Sequence, residues 1–110
     1  MTYDDVTKAL AAAGFFTYYR CESGTLICSA AEWPNVPQMA NSFWLDKQRS
    51  DWSIAAWTPH LYRFADDARV PEACIAWLRR YPEPAQWDFD GGLKAEFALS
   101  EVDSDDLPGK

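Results

Sequence analysis

Apolar residues recur along this chain with two different periods. From Thr2 to Gly14 they fall at Val6, Leu10 and Ala13, with Ala9 beside them, which is one stripe of a helix. Thr2 is placed to cap that helix, Asp4 and Asp5 sit in the first turn where the helix dipole favours anions, and Gly14 stops it. Helical spacing returns from Val70 onward. Val70, Cys74, Trp77, Leu78 and Tyr81 share a face and leave Glu72, Arg79 and Arg80 to water; Pro71 suits a first turn and Pro82 ends the element.

Between the helices the pattern is that of strands. Phe15 to Cys21 and Thr25 to Ser29 are β-prone runs separated by Glu22-Ser23-Gly24, a hairpin signal. A two-residue turn at Ser23-Gly24 pairs Cys21 with Leu26 and Cys28 with Tyr19, and sets the two cysteines on one face at a diagonal too long for an unstrained disulfide. Residues 31 to 41, with Pro34 and Pro37, read as a loop. Ser42 to Lys47 and Trp52 to Trp57 then flank the polar loop Gln48 to Asp51, so that Lys47 pairs with Trp52, Leu45 with Ile54 and Phe43 with Ala56. Pro59 interrupts the ladder, and His60 to Phe64 forms a bent continuation or an edge strand. After the second helix, Trp87, Phe89, Leu93, Phe97 and Leu99 are too many large apolar groups for a free tail, so residues 86 to 99 pack back on the domain as a strand or a helix.

The order of elements predicts an α+β fold. It is a single two-layer domain: an antiparallel four- or five-stranded meander, with an N-terminal helix and a second helix after the sheet packed on one face. The chain has 110 residues, enough for one domain, expected to bury roughly 65% of its unfolded surface without help from metal or disulfide. Aromatic rings supply much of that area, since Trp, Tyr and Phe number six, five and six. Residues 1 to 100 are the predicted domain and residues 101 to 110 an acidic flexible C-terminal tail.

Charge sharpens this division. The net charge of −7 is uneven: residues 1 to 82 hold nine acids and eight bases, residues 83 to 110 eight acids and two bases. The globule is therefore nearly neutral. It shows neither the basic surface of a nucleic-acid binder nor the spread of carboxylates of a nucleic-acid mimic. No positively charged leader precedes an apolar run and no apolar stretch reaches membrane-spanning length, so neither nucleic acid nor a membrane is expected as partner. Cys21, Cys28 and Cys74, each within an apolar run, read as packed free thiols in a cytoplasmic protein.

Chemistry leaves few marks. The glycine signatures of phosphate loops are absent, and Asp88 to Gly92 lacks the later glycine and glutamate of a calcium loop, since those positions are Leu93 and Leu99. With no CxxC pair and one histidine, no metal and no cofactor is expected. His60, with an ordinary pKa of about 6.5, is the one ready general base, but no nucleophile motif accompanies it and no catalytic residue is assigned. Asp66 and Asp67 read as cap and dipole partners of the second helix.

The strand register singles out one feature. Trp44, Asp46, Ser53 and Trp57 share the sheet face opposite the core. Either the two indoles anchor an exposed interaction patch, or the apolar C-terminal segment covers them. The expected function is a small cytosolic interaction module, an inhibitor, immunity-type protein or adaptor that occupies a partner protein's surface; its oligomeric state is left open. The alternative is a small-molecule binder or minor enzyme with a pocket between the sheet and the second helix, lined by His60, Tyr62 and Trp77.

Overall fold

The computed structural model describes residues 1–30, 42–55, 61–80 and 91–102. The chain runs through α1 (Tyr3–Ala12), β1 (Phe16–Arg20), β2 (Thr25–Ser29), β3 (Ser42–Lys47), β4 (Asp51–Ala55), β5 (Leu61–Ala65), α2 (Val70–Arg80), α3 (Gly91–Phe97) and β6 (Ser100–Val102). The strands form one antiparallel sheet in chain order, an α+β single domain as the sequence predicts.

The first helix begins and ends as its sequence dictates; Tyr81 and Pro82, the expected end of the second, lie outside the described residues. Thr2 caps α1 in a reciprocal box: its hydroxyl accepts from the Asp5 N–H, while the Asp5 carboxylate accepts from the Thr2 N–H. Gly14, at φ +89°, and a 2.9 Å bond from the Phe15 N–H to the Leu10 carbonyl close its other end. In α2 the buried stripe is Val70, Ala73, Cys74, Trp77 and Leu78, and Arg79 and Arg80 complement the C-terminal dipole.

The helices cover one face of the sheet. Val6 and Leu10 of α1, the α2 stripe, and Leu93 and Phe97 of α3 form a single core with Leu26, Cys28, Phe43, Leu45, Trp52, Ile54, Tyr62 and Phe64 from alternate strand positions. Trp77 is central, its ring 5.8 Å from Tyr62 and 6.2 Å from Phe43. Tyr3 ties this layer to the sheet: its hydroxyl donates to the Gly24 carbonyl and accepts from the Lys47 N–H, each at 2.8 Å.

Three expectations are corrected. The sheet has six strands rather than four or five, because residues 91 to 102 add α3 and then β6, whose Glu101 and Val102 lie opposite Tyr62 and Leu61 of β5. Those two residues belong to the segment expected as tail. The first hairpin pairs Tyr19 with Leu26 and Thr17 with Cys28, two residues from the predicted register. Its loop is Cys21 to Gly24, closed by a 2.9 Å bond from the Gly24 N–H to the Arg20 carbonyl with Gly24 at φ +66°. Cys21 is consequently exposed in a turn instead of packed on a strand. The β3–β4 register is as predicted where it is described, with Lys47 opposite Trp52 and Leu45 opposite Ile54.

Candidate functional site: the second sheet face and the β1 edge

Strand alternation sends the residues between the core positions to the other face of the sheet. There the ladders build two rows. One runs Tyr18, Ile27, Trp44, Ala55, Leu61 across β1 to β5. The other runs Asp46, Ser53, Arg63, Ser100 across β3 to β6, with Thr25 of β2 reaching Asp46.

The first three candidate patch residues do share this face, yet they are not an open surface. Asp46 is 8% exposed and Ser53 1%, while Trp44 is half-buried. Trp57 lies outside the described residues. The Asp46 carboxylate accepts a 2.6 Å bond from the Thr25 hydroxyl; burial pushes its pKa up, and that bond offsets part of the rise.

The candidate pocket residues are placed differently. Tyr62 and Trp77 come together, but as ring partners inside the core, both fully buried. His60 lies outside the described residues. A hollow between β5, α2 and α3 is lined by Phe64, Ala65, Asp67, Arg69, Ala73, Phe97 and Ala98, and by neither Tyr62 nor Trp77. Arg69 closes one side: its guanidinium stacks on Phe97 at 4.7 Å and donates to the Glu96 carbonyl at 2.8 Å. Among the described residues no cluster of His, Cys, Asp and Glu is arranged to hold a metal ion.

Three arrangements escaped the sequence reading. Phe16, Tyr18 and Tyr19 of β1 are the exposed large hydrophobic residues among those described, at 39%, 40% and 48%. Hairpin periodicity placed the strand, but nothing in it revealed that β1 would be a sheet edge. The buried Cys28 and Cys74 thiols meet across the β2–α2 interface, and burial followed by the bond to Cys74 raises the Cys28 pKa well above its ordinary value. Asp66 is a junction rather than a helix cap. Its carboxylate accepts the Trp52 indole N–H at 2.8 Å and lies 3.6 Å from the chain's amino group and 3.7 Å from Lys47 Nζ. Asp67 accepts the Arg69 N–H at 2.7 Å in the turn just before α2.

Comparison with protein-family models, curated proteins and solved structures returns no match. No helix among the described residues is long and apolar enough to cross a membrane.

Proposed function

We propose that this chain is a small cytosolic interaction module, an inhibitor, immunity-type protein or adaptor, that acts by binding a partner protein rather than by catalysis. The observation that carries this reading is the β1 edge. Among the described residues β1 pairs only with β2, and no described strand lies along its other side. Edge strands are normally blunted by lysine, proline, bulges or inward-pointing charges. β1 has none of these; its one charge is Arg20 at the end of the strand, 3.5 Å from Glu22. Phe16 and Tyr18 project toward the second face and Tyr19 toward the helix face, where it stands 5.5 Å from Tyr3. An extended partner segment added to β1 gains main-chain hydrogen bonds along the edge and aromatic contacts on both sides of it.

The pocket alternative is weaker, since Tyr62 and Trp77 spend their surfaces on each other and on Phe43. Affinity capture from the native source tests the proposal. The bait is the wild type beside Phe16→Thr/Tyr18→Thr, a change that puts strand-favouring, β-branched threonine at both positions. A protein held stoichiometrically by the wild type and lost by a variant of equal melting temperature supports the reading. Equal capture by both removes β1 from it.

A further inference from the structure

Beside its buried stripe, α2 carries a second one on its outer side. Glu72, Ile75, Ala76 and Arg79 stand at positions i, i+3, i+4 and i+7 and so line up along one side of the helix. Glu72 and Arg79 are exposed, with Ile75 and Ala76 half-buried between them. The stripe borders an open hollow of about 390 Å³ between α2 and α3, which Glu96 and Phe97 line from the α3 side. Among the described residues neither Glu72 nor Arg79 has an ion-pair partner. Two helical turns, roughly 10 Å, keep them from pairing with each other.

The order of these four residues is self-complementary. About a twofold axis perpendicular to a helix, two copies run antiparallel, and whatever residue i of one meets, the other copy meets in return. With the axis between Ile75 and Ala76, Glu72 of each copy faces Arg79 of the other, and Ile75 faces Ala76 across the centre. Antiparallel packing also sets the first turn of each helix, with its Glu72, beside the last turn of the other, so charge and helix dipole act together. A parallel pairing would instead oppose Glu72 to Glu72 and Arg79 to Arg79. The short Ala76 side chain permits a close approach, and the ridge of one α2 enters the hollow beside the other.

We propose that this face of α2, with the hollow beside it, receives a second copy of the same chain in antiparallel register. Two half-buried apolar residues and exposed ion pairs make a small interface, so the dimer is weak and depends on concentration. The stripe contains no residue of β1, and the inference does not rest on the reading of that edge.

Sedimentation equilibrium of the full chain, at concentrations reaching about 1 mM, tests this. The wild type should populate a dimer. Glu72→Arg and Arg79→Glu each place like charges at both ends of the pairing, and each should weaken association at least about tenfold. Mixed together they should associate again, because a chain with two arginines then faces a chain with two glutamates. The double variant Glu72→Arg/Arg79→Glu should dimerise as the wild type does. Neither recovery can come from an unfolded chain, and Arg79→Gln, which reverses no charge, should weaken association less at an unchanged melting temperature. Phe16→Thr/Tyr18→Thr should associate as the wild type does. A wild type that stays monomeric at about 1 mM overturns the proposal. So does a dimer insensitive to both charge reversals, a mixture of the two folded variants that fails to associate, or a dimer lost in the β1 variant.

Discussion

The Trp52 indole N–H donates to Asp66 Oδ1 at 2.8 Å and fastens the start of β4 to the turn that follows β5. Lys47 lies over the same indole, 5.5 Å from its centroid, and 3.7 Å from the same carboxylate. One acidic side chain thus gathers β3, β4, the turn after β5 and the start of α1. The hydrogen bond from Trp52, then Lys47 and the amino group, hold the Asp66 carboxyl below the ordinary aspartate pKa against a smaller opposing effect of burial. A carboxyl whose folded pKa lies below its unfolded value stabilises the fold above the unfolded pKa, about 4, and that stability is lost as pH falls through the folded value. Urea midpoints measured down the acid range should therefore fall more steeply for the wild type than for Asp66→Asn. Parallel curves would show that Asp66 does not discriminate the folded state.

Asp46 should behave with the opposite sign. Burial raises its pKa in the fold, with only the Thr25 hydroxyl pulling it down. The folded state then favours the protonated form, so stability declines as pH rises from the ordinary aspartate value through the folded one. Asp46→Asn keeps an acceptor for Thr25 and removes the desolvated charge. Its melting temperature at neutral pH should match or exceed that of the wild type, and a loss of several degrees would mean that the ionised carboxylate is needed by the fold.

Thiol reactivity should divide the cysteines one from two. Cys21 is exposed in the β1–β2 turn, whereas Cys28 and Cys74 are enclosed between β2 and α2. A disulfide reagent should titrate one group rapidly in native protein and three in denaturant, since a buried thiol with a raised pKa reacts only through opening. Rapid reaction of two or more in the native protein would contradict the β2–α2 packing.

Trp77→Ala should cost roughly 3 to 5 kcal/mol, the range for deleting a large buried aromatic, and leave the protein partly unfolded. Its ring packs on Phe43 and Tyr62 at the junction of helix and sheet. A variant with an unchanged denaturation midpoint would refute the packing of α2.

Ala98 is strained. It adopts φ +55° at the end of α3, where the Leu99 N–H bonds to the Lys94 carbonyl at 2.8 Å. That left-handed conformation costs a non-glycine residue roughly 1 kcal/mol or more, and glycine avoids it. Ala98→Gly should raise stability by about 0.5 to 1 kcal/mol in denaturant titration. A loss of stability would show that the methyl group has a packing role.

Much of this architecture was legible because local signals agreed with the fold. Thr2 and Gly14 bounded α1, the Val70 to Leu78 stripe gave α2, and the four-residue loop Gln48 to Asp51 fixed the β3–β4 register. The first hairpin slipped by two residues because Ser23-Gly24 resembles a short turn, whereas Tyr3, from elsewhere in the chain, hydrogen-bonds the Gly24 carbonyl and helps hold the longer loop. Face assignment survived the slip, since a shift of two leaves every side chain on its own side. The site was less legible. Register placed Trp44, Asp46 and Ser53 together, but burial depends on what packs over a face, and the edge position of β1 depends on where α3 and β6 go. Asp66 was misread because its partners, Met1, Lys47 and Trp52, are distant in sequence.

The central claim is that β1 is the surface on which a partner protein docks. Hydrogen–deuterium exchange of the full chain, alone and saturated with a protein recovered by the capture experiment, addresses it residue by residue. The β1 amides that point away from β2 should become strongly protected in the complex, while those of α2, expected to be slow in the free protein, stay unchanged. Protection confined to other segments, with the β1 amides exchanging as fast as in the free chain, would contradict it.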